Sequence, residues 1–101
     1  MAQFDVYKNE NERTNKDVPY LLDIQNDLLS SLDTRVVIPL VFSLAKVDGL
    51  TKELKIDDEI LYLYTDQMAT IPFSLLSEKI CSIKEQSEEI KNSIDFLIYG
   101  F

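Results

Sequence analysis

Short stretches of alternating or continuous hydrophobic residues follow one another along most of the chain. Residues 3–7 alternate polar and apolar side chains, which is typical of a strand with one buried face. Residues 20–24 and the β-branched run at residues 35–42 predict two further strands, of which the second is buried. Pro39 lies inside that run and indicates an edge strand or a bulge, because proline cannot donate to a sheet ladder.

Polar and turn-forming residues separate these strands from each other and from those that follow. Residues 8–17 predict an exposed loop or a loosely twisted hairpin, and residues 26–33 predict a loop or one helical turn with partly exposed leucines. Asp48-Gly49 and Asp57-Asp58 predict turns. Further strands are predicted at residues 54–56, 59–64 and 68–73, with one more short strand or irregular chain within 74–83. Strands at intervals of roughly ten residues favour a compact antiparallel sheet or barrel.

The last segment predicts an amphipathic helix over about residues 84–99. Apolar residues recur at helical spacing, namely Ile83, Ile90, Ile94, Leu97, Ile98 and Phe101. Ser82 with Glu85 fits a capping box, and Ser87 offers a cap one turn later. Tyr99 falls on the polar face, as a solvated residue of a frayed end or as a contact for a partner. The pattern therefore predicts one domain over residues 1–101, mainly β with one C-terminal α-helix.

Charge and composition narrow the class of partner. The 101-residue chain has ten basic and eighteen acidic residues and a net charge of −8. This balance disfavours direct binding to nucleic acid and suits a basic protein surface, although it also serves solubility alone. The first residues do not form a signal peptide, and no stretch approaches the ~20 apolar residues of a membrane span. We therefore expect a cytoplasmic protein with no membrane partner.

The residues needed for most catalytic and metal sites are missing. The chain has no histidine, and its two glycines do not form a phosphate-binding loop. Asp57-Asp58-Glu59 lacks the spacing of a calcium loop and is expected to be a solvated turn. Cys81, in apolar surroundings, is expected to be a small buried hydrophobe. These observations predict a protein that is not an enzyme, holds no cofactor or metal and acts by binding.

Five sequence blocks together resemble the CcdB toxins of type II toxin–antitoxin systems. They are, in chain order, Asp23-Ile24-Gln25-Asn26-Asp27-Leu28-Leu29, Arg35-Val36-Val37-Ile38-Pro39-Leu40, Ile56-Asp57-Asp58-Glu59, Met68-Ala69-Thr70-Ile71-Pro72-Phe73-Ser74 and Ile90-Lys91-Asn92-Ser93-Ile94-Asp95. Each block alone is weakly specific, but their order and the total length also match the family, so the resemblance spans nearly the whole chain.

The resemblance implies a fold and a set of partners. CcdB-like proteins are homodimers with an SH3-like barrel or antiparallel sheet, shared with the MazF and Kid toxins, and a C-terminal helix. They bind the A subunit of DNA gyrase and trap the complex of gyrase with cleaved DNA. A CcdA-like antitoxin neutralises the toxin, and the toxin–antitoxin complex represses its own operon. DNA is then contacted only indirectly, through the antitoxin.

The gyrase contacts implied by the resemblance lie in two segments. They are Asn26, Leu28 and Leu29 in the first, and Asp95, Ile98, Tyr99, Gly100 and Phe101 in the second. The family tail is usually Trp-Gly-Ile, and its aromatic ring stacks on a gyrase arginine, a contact of roughly 0.5–2 kcal/mol. Asp95 stands where the family has asparagine, which removes two hydrogen-bond donors. The two leucines have an alternative role in the core.

Two alternative functions stay open on the sequence. One is a ribonuclease toxin of the MazF or Kid type, which shares the barrel but needs cationic and hydroxyl groups at an RNA groove. The chain has only two arginines, Arg13 and Arg35. The other is a toxin that binds its antitoxin but has weakened activity on gyrase, because its tail departs from the family pattern.

Overall fold

The computed structural model describes residues 2–42, 52–76 and 78–100. In these residues the chain forms β1 (Asp5–Lys8), β2 (Tyr20–Asp23), β3 (Thr34–Val41), β4 (Lys52–Ile56), β5 (Glu59–Leu63), β6 (Ala69–Pro72), β7 (Lys79–Ser82) and α1 (Ser87–Tyr99). The turn predicted at Asp48-Gly49 lies outside the described residues. The predicted hairpin turn at Asp57-Asp58 is confirmed, because β4 and β5 pair around it as far as Ile56 and Glu59.

All the strands belong to one curled antiparallel sheet with the order β4-β5-β3-β2-β1-β7. The sixth strand lies off this path and pairs with β3. Strand β3 is the longest and pairs with β2, β5 and β6, so it is the centre of the sheet. The prediction of a mainly β fold with one C-terminal helix is confirmed.

Pro39 lies in the middle of the sheet, so the prediction of an edge or a bulge is wrong. On one side it is opposite Leu21 in an unbroken register with β2. On the other side β6 pairs with β3 as far as Val37, and β5 pairs from Leu40 onward. The carbonyl of Pro39 accepts a hydrogen bond of 3.0 Å from the N–H of Tyr64. Proline is tolerated here because β3 changes partners at this residue.

The main core lies between one face of the sheet and α1. Its buried members are Phe4, Val6, Leu22, Ile38, Leu40, Leu54, Ile56, Leu61, Leu63, Ile83 and Ile90. Successive side chains of a strand point to opposite faces, so Leu21, Pro39 and Ile71 lie on the face away from the helix. On that second face Tyr7, Val37 and Leu76 form a smaller buried cluster, with Leu21 and Ile71 packed against it.

The helix begins later than expected, and the predicted capping box is wrong. Ser82 ends β7, a 3₁₀ turn spans Lys84–Gln86, and α1 then begins at Ser87 without a side-chain cap. Gln86, directly before α1, instead bridges to β4. Its Oε1 accepts a hydrogen bond from the N–H of Lys55 at 3.2 Å, and its Nε2 donates to the Lys55 carbonyl at 3.0 Å. A tertiary contact therefore holds the start of the helix.

Replacement of Gln86 should test this tertiary anchor. We expect Gln86→Ala to lower the free energy of unfolding by about 1–2 kcal/mol, because two hydrogen bonds of modest net value are lost. Ser82→Ala is the matched control and should change it by less than about 0.5 kcal/mol, since exposed positions without a special role tolerate substitution. Urea denaturation of both variants would measure the difference. A larger loss of stability for Ser82→Ala than for Gln86→Ala would instead indicate that Ser82 caps the helix.

The phenol of Tyr7 is buried on the second face and predicts a loss of stability in alkali. Burial raises its pKa to about 12, and the neighbouring carboxylates of Asp5 and Asp23 act in the same direction. The folded pKa thus exceeds the unfolded value of 10.0, so the contribution is fully present below pH 10 and is lost as the pH rises through 12.

We therefore expect the free energy of unfolding of the parent, measured relative to Tyr7→Phe, to fall by about 2–3 kcal/mol between pH 9 and pH 12. Urea denaturation at several pH values would measure this difference. Tyr7→Phe is the reference because it keeps the ring and removes the ionisable group. If the free energies of unfolding of the two proteins change in parallel across this pH range, the raised pKa of Tyr7 is contradicted.

Candidate functional site

Residues 26–29 form a tight turn that carries two leucines outward. Asn26 precedes a 3₁₀ turn at Asp27–Leu29, and its Oδ1 accepts a hydrogen bond of 2.8 Å from the N–H of Leu28. Leu28 is 89% exposed, and Leu29 is also exposed. The alternative that these leucines belong to the core is therefore wrong.

Gln25 connects this turn to the sheet. Its side-chain Nε2 donates to the carbonyl of Leu29 at 3.0 Å, and its Oε1 accepts from the N–H of Val36 at 3.1 Å. The residue is only 6% exposed, so water competes little for either bond. One buried amide thus joins the turn to β3.

A buried ion pair between Asp23 and Arg35 holds Gln25 in turn. Arg35 Nε donates to Asp23 Oδ2 at 2.9 Å and Nη2 donates to Oδ1 at 3.0 Å. Arg35 Nη2 also donates to the Gln25 carbonyl at 3.2 Å, and the N–H of Gln25 donates to Asp23 Oδ1 at 3.0 Å. Burial raises the pKa of the Asp23 carboxyl, while these hydrogen bonds and the charge of Arg35 oppose that shift. The pair is structural, because neither side chain reaches the surface.

The N-terminal segment holds the turn from its other side. The N–H of Gln3 donates to Asp27 Oδ1 at 2.7 Å, and its side-chain Nε2 donates to the carbonyl of Ile24 at 3.1 Å. The N–H of Phe4 donates to the Asp23 carbonyl at 2.6 Å. The turn is therefore fixed by polar contacts on both sides, while its apolar side chains point into solvent.

Leu32 and Phe73 extend the exposed apolar surface of the turn. Both are exposed, and the N–H of Phe73 donates to the carbonyl of Asp33 at 2.8 Å, which places the segment after β6 beside the end of the loop. The sequence predicted exposed leucines in this loop but placed Phe73 in a strand, because nothing local indicated that β6 ends at Pro72.

The C-terminal turn of α1 forms the second exposed apolar group. Leu97 is exposed, Ile98 is 59% exposed and Tyr99 is 67% exposed, whereas the sequence pattern assigned Leu97 and Ile98 to the buried face. That prediction is wrong for this half of the helix. In this half of the helix Ser93 is buried instead of Leu97 and Ile98, and its hydroxyl oxygen lies 2.7 Å from that of Thr65.

The helix ends at Gly100, which adopts a left-handed conformation with φ of 82°. Its N–H donates to the Phe96 carbonyl at 3.0 Å, which is the bond of a helix cap. Asp95 is exposed one turn before this end. Phe101 lies outside the described residues.

The predicted contact residues therefore belong to two groups attached to different elements. The turn at residues 26–29 is bonded to β3 and the N-terminal segment. The helix packs on β4 and on the 3₁₀ turn at Thr65–Gln67. Both groups expose apolar side chains, which is typical of protein-binding surfaces when such patches are large.

A groove of about 540 Å³ lies on the second face of the sheet and was not predicted from the sequence. Leu21, Pro39 and Ile71 contribute to its floor, and the loop at residues 9–14 forms a wall. Asn9 shapes that wall, because its Nδ2 donates to the carbonyl of Val18 at 2.8 Å and to Thr14 Oγ1 at 3.0 Å. Glu10 is the ionisable residue of the described lining, so the groove offers no cation to a phosphate.

Groups suited to metal binding or thiol chemistry are few in the described ranges. They contain no group of three or more carboxylate or cysteine side chains placed to hold a metal ion. Cys81 is half-buried against the main core, and burial raises the pKa of its thiol. In the same ranges no helix is long and apolar enough to span a bilayer.

Comparison with known proteins identifies relatives of this chain. The family model described as CcdB protein matches residues 3–100. A solved endoribonuclease in complex with its cognate antitoxin, from mycobacterial species, has a TM-score of 0.77 at 12% identity, over 94% of this chain and 91% of that one. A second mycobacterial endoribonuclease has a TM-score of 0.73 at 12% identity, over 94% and 88% of the two chains.

The expectation that the chain is not an enzyme is wrong, and these two structures correct it. Proteins with the same fold are endoribonucleases, so the fold gives no ground for that exclusion. The absence of histidine rules out only chemistry that requires histidine, and an enzyme can cleave RNA with other groups. At 12% identity the likeness shows the fold and not the activity of this chain.

Proposed function

Because the chain belongs to the CcdB family and is therefore the toxin of a toxin–antitoxin system, we propose that it binds the A subunit of DNA gyrase and traps the complex of gyrase with cleaved DNA. The family match over residues 3–100 carries this proposal. The exposed positions of Asn26, Leu28, Leu29, Asp95, Ile98, Tyr99 and Gly100 support it. Phe101 is included as the last residue of the tail.

Each exposed group has a physical role in this proposal. Leu28 and Leu29 offer apolar area that leaves water when the partner binds. The ring of Tyr99 can stack on an arginine of gyrase, a cation–π contact of roughly 0.5–2 kcal/mol. The net charge of −8 favours approach to a basic surface, such as one that holds DNA.

We further propose a homodimer that is neutralised in the cytoplasm by a CcdA-like antitoxin. One mycobacterial structure of the same fold is in complex with its cognate antitoxin, which supports a protein partner of that class. In this proposal the toxin–antitoxin complex represses its own operon, and DNA is contacted indirectly through the antitoxin. The two-fold symmetry of a homodimer would suit a symmetric gyrase A dimer.

Two substitutions relative to the family tail predict weaker poisoning than a tryptophan tail would give. Tyr99 offers less aromatic face than an indole ring. Asp95 lacks the two donors of the asparagine usual at that position and adds a negative charge. A toxin that binds its antitoxin fully but gyrase only weakly is the limiting form of this proposal.

Replacement of the tail aromatic should test the proposal. We expect Tyr99→Ala to weaken binding to purified gyrase A by about 2 kcal/mol, or about 30-fold in Kd, as for a typical aromatic hot spot. The yield of gyrase–DNA cleavage complexes at a fixed toxin concentration should fall accordingly. Ile60→Ala is the matched control, because Ile60 is also an exposed apolar side chain but lies at the β4–β5 hairpin.

Binding assays and cleavage assays with supercoiled DNA would measure both effects. Equal loss in Tyr99→Ala and Ile60→Ala would mean that the tail is not a specific contact. Cleavage complexes that form equally well with Tyr99→Ala and the parent would contradict the assignment of the tail as a gyrase contact.

Cleavage of RNA is the second candidate function, favoured by the fold that the chain shares with endoribonucleases. Arg35 is bound to Asp23 in the interior, whereas Arg13 is exposed. A ribonuclease site would therefore draw its guanidinium from Arg13, on the loop that follows β1.

Under this candidate the purified chain should cleave single-stranded RNA in the absence of gyrase, and Arg13→Ala should reduce the rate by about 100-fold or more, the usual scale for loss of one group that stabilises transition-state charge. Gel analysis of RNA fragments would measure the rate, with Tyr99→Ala as a control that keeps it. RNA that stays intact at toxin concentrations active in cells would contradict this candidate.

A further inference from the structure

The turn that exposes Leu28 contributes no fully buried side chain to the core. None of the three residues of the 3₁₀ turn at Asp27–Leu29 is buried. Its attachment is polar, through the Gln25 side chain to the Leu29 carbonyl at 3.0 Å and through the Gln3 N–H to Asp27 at 2.7 Å. The first of these bonds comes from a buried residue and the second is exposed. Gln25 is therefore the stronger restraint on the turn.

The chemistry of an amide suits this task. Gln25 presents its donor to the carbonyl of Leu29 and its acceptor to the N–H of Val36, so one side chain links a loop carbonyl to a strand amide. A glutamate would keep the acceptor but place an anionic oxygen against the Leu29 carbonyl. An apolar side chain of the same length would satisfy neither group.

Gln25 is itself held at both ends of its backbone. Its N–H donates to Asp23 and its carbonyl accepts from Arg35, at 3.0 and 3.2 Å. The two partners form a bidentate ion pair in the interior. The position of the amide is thus set by β2 and β3 and not by the turn that it holds.

We propose that Gln25 is a positioning residue for partner binding, which holds the turn in the conformation in which Leu28 docks. The inference rests on the proposed function and deepens it. The ordering entropy of the turn is then lost on folding and not on association, which raises affinity without any contact between Gln25 and the partner. Asp23 and Arg35 act one step further away by fixing Gln25.

A double-mutant cycle separates positioning from a merely structural role. We would measure Kd for purified gyrase A with the parent, Gln25→Met, Leu28→Ala and the double variant, and the urea stability of each. Gln25→Met should weaken binding about tenfold, and Leu28→Ala about 30-fold. In the double variant the loss should stay well below the roughly 300-fold product of the single losses, because holding the turn contributes less to binding once Leu28 is absent. The two stability losses should add.

Gln86→Met is the matched control for Gln25→Met. Gln86 also links a backbone N–H to a backbone carbonyl, both of Lys55, but lies at the start of α1. The Gln86→Met variant should lower the free energy of unfolding and leave the Kd for gyrase A unchanged. If Gln25→Met does not fold, Gln25→Glu serves as the second variant, since it keeps the bond to Val36 and should show the same non-additive loss of binding.

The outcomes distinguish the inference from the function on which it rests. Parental affinity of Gln25→Met, with binding by Leu28→Ala impaired, overturns the positioning role alone. A double variant whose binding loss is the product of the single losses also overturns it. Parental affinity of Leu28→Ala overturns both the inference and the proposed contact at this turn.

Discussion

A charge buried in a protein interior is costly unless it is paired. The guanidinium of Arg35 in β3 is paired with the carboxylate of Asp23 in β2. The pair is bidentate, with both side chains almost fully buried. Removal of one partner of such a pair costs about 3–5 kcal/mol, because the other charge stays buried and unpaired. Domains are stable by only about 5–15 kcal/mol, so the loss of either partner would remove a large share of the margin. The pair also places Gln25, and through Gln25 the turn that carries Leu28.

Both candidate contact groups place polar side chains inside and apolar side chains outside. At the first turn the buried amide of Gln25 supports the exposed Leu28, and on α1 the buried hydroxyl of Ser93 pairs with that of Thr65 while Ile98 is exposed. This arrangement lowers the contribution of hydrophobic burial to folding and leaves that apolar area available for association. The proposed contact with gyrase A uses both of these exposed groups.

Most strands, the helix and the exposed loop leucines could be predicted from the sequence, because they follow from periodicity and turn residues. What could not be predicted depends on partners that are distant along the chain. Pro39 fits the middle of the sheet only because β3 changes partners there. The helix start is held by Gln86 on Lys55 and not by a local serine. The role of Gln25 depends on Arg35, ten residues further along the chain, and a single sequence does not indicate which buried polar groups will pair.

Hydrogen exchange of the backbone amides, with and without purified gyrase A, tests most directly whether the two exposed groups form the partner-binding surface. We expect slower exchange in the complex at residues 26–32 and 95–100, and unchanged exchange at the hairpin turn of residues 57–60. Protection confined to residues 9–14 would place the partner in the groove on the second face of the sheet. That result, or no protection at either exposed group, would contradict the proposed binding surface.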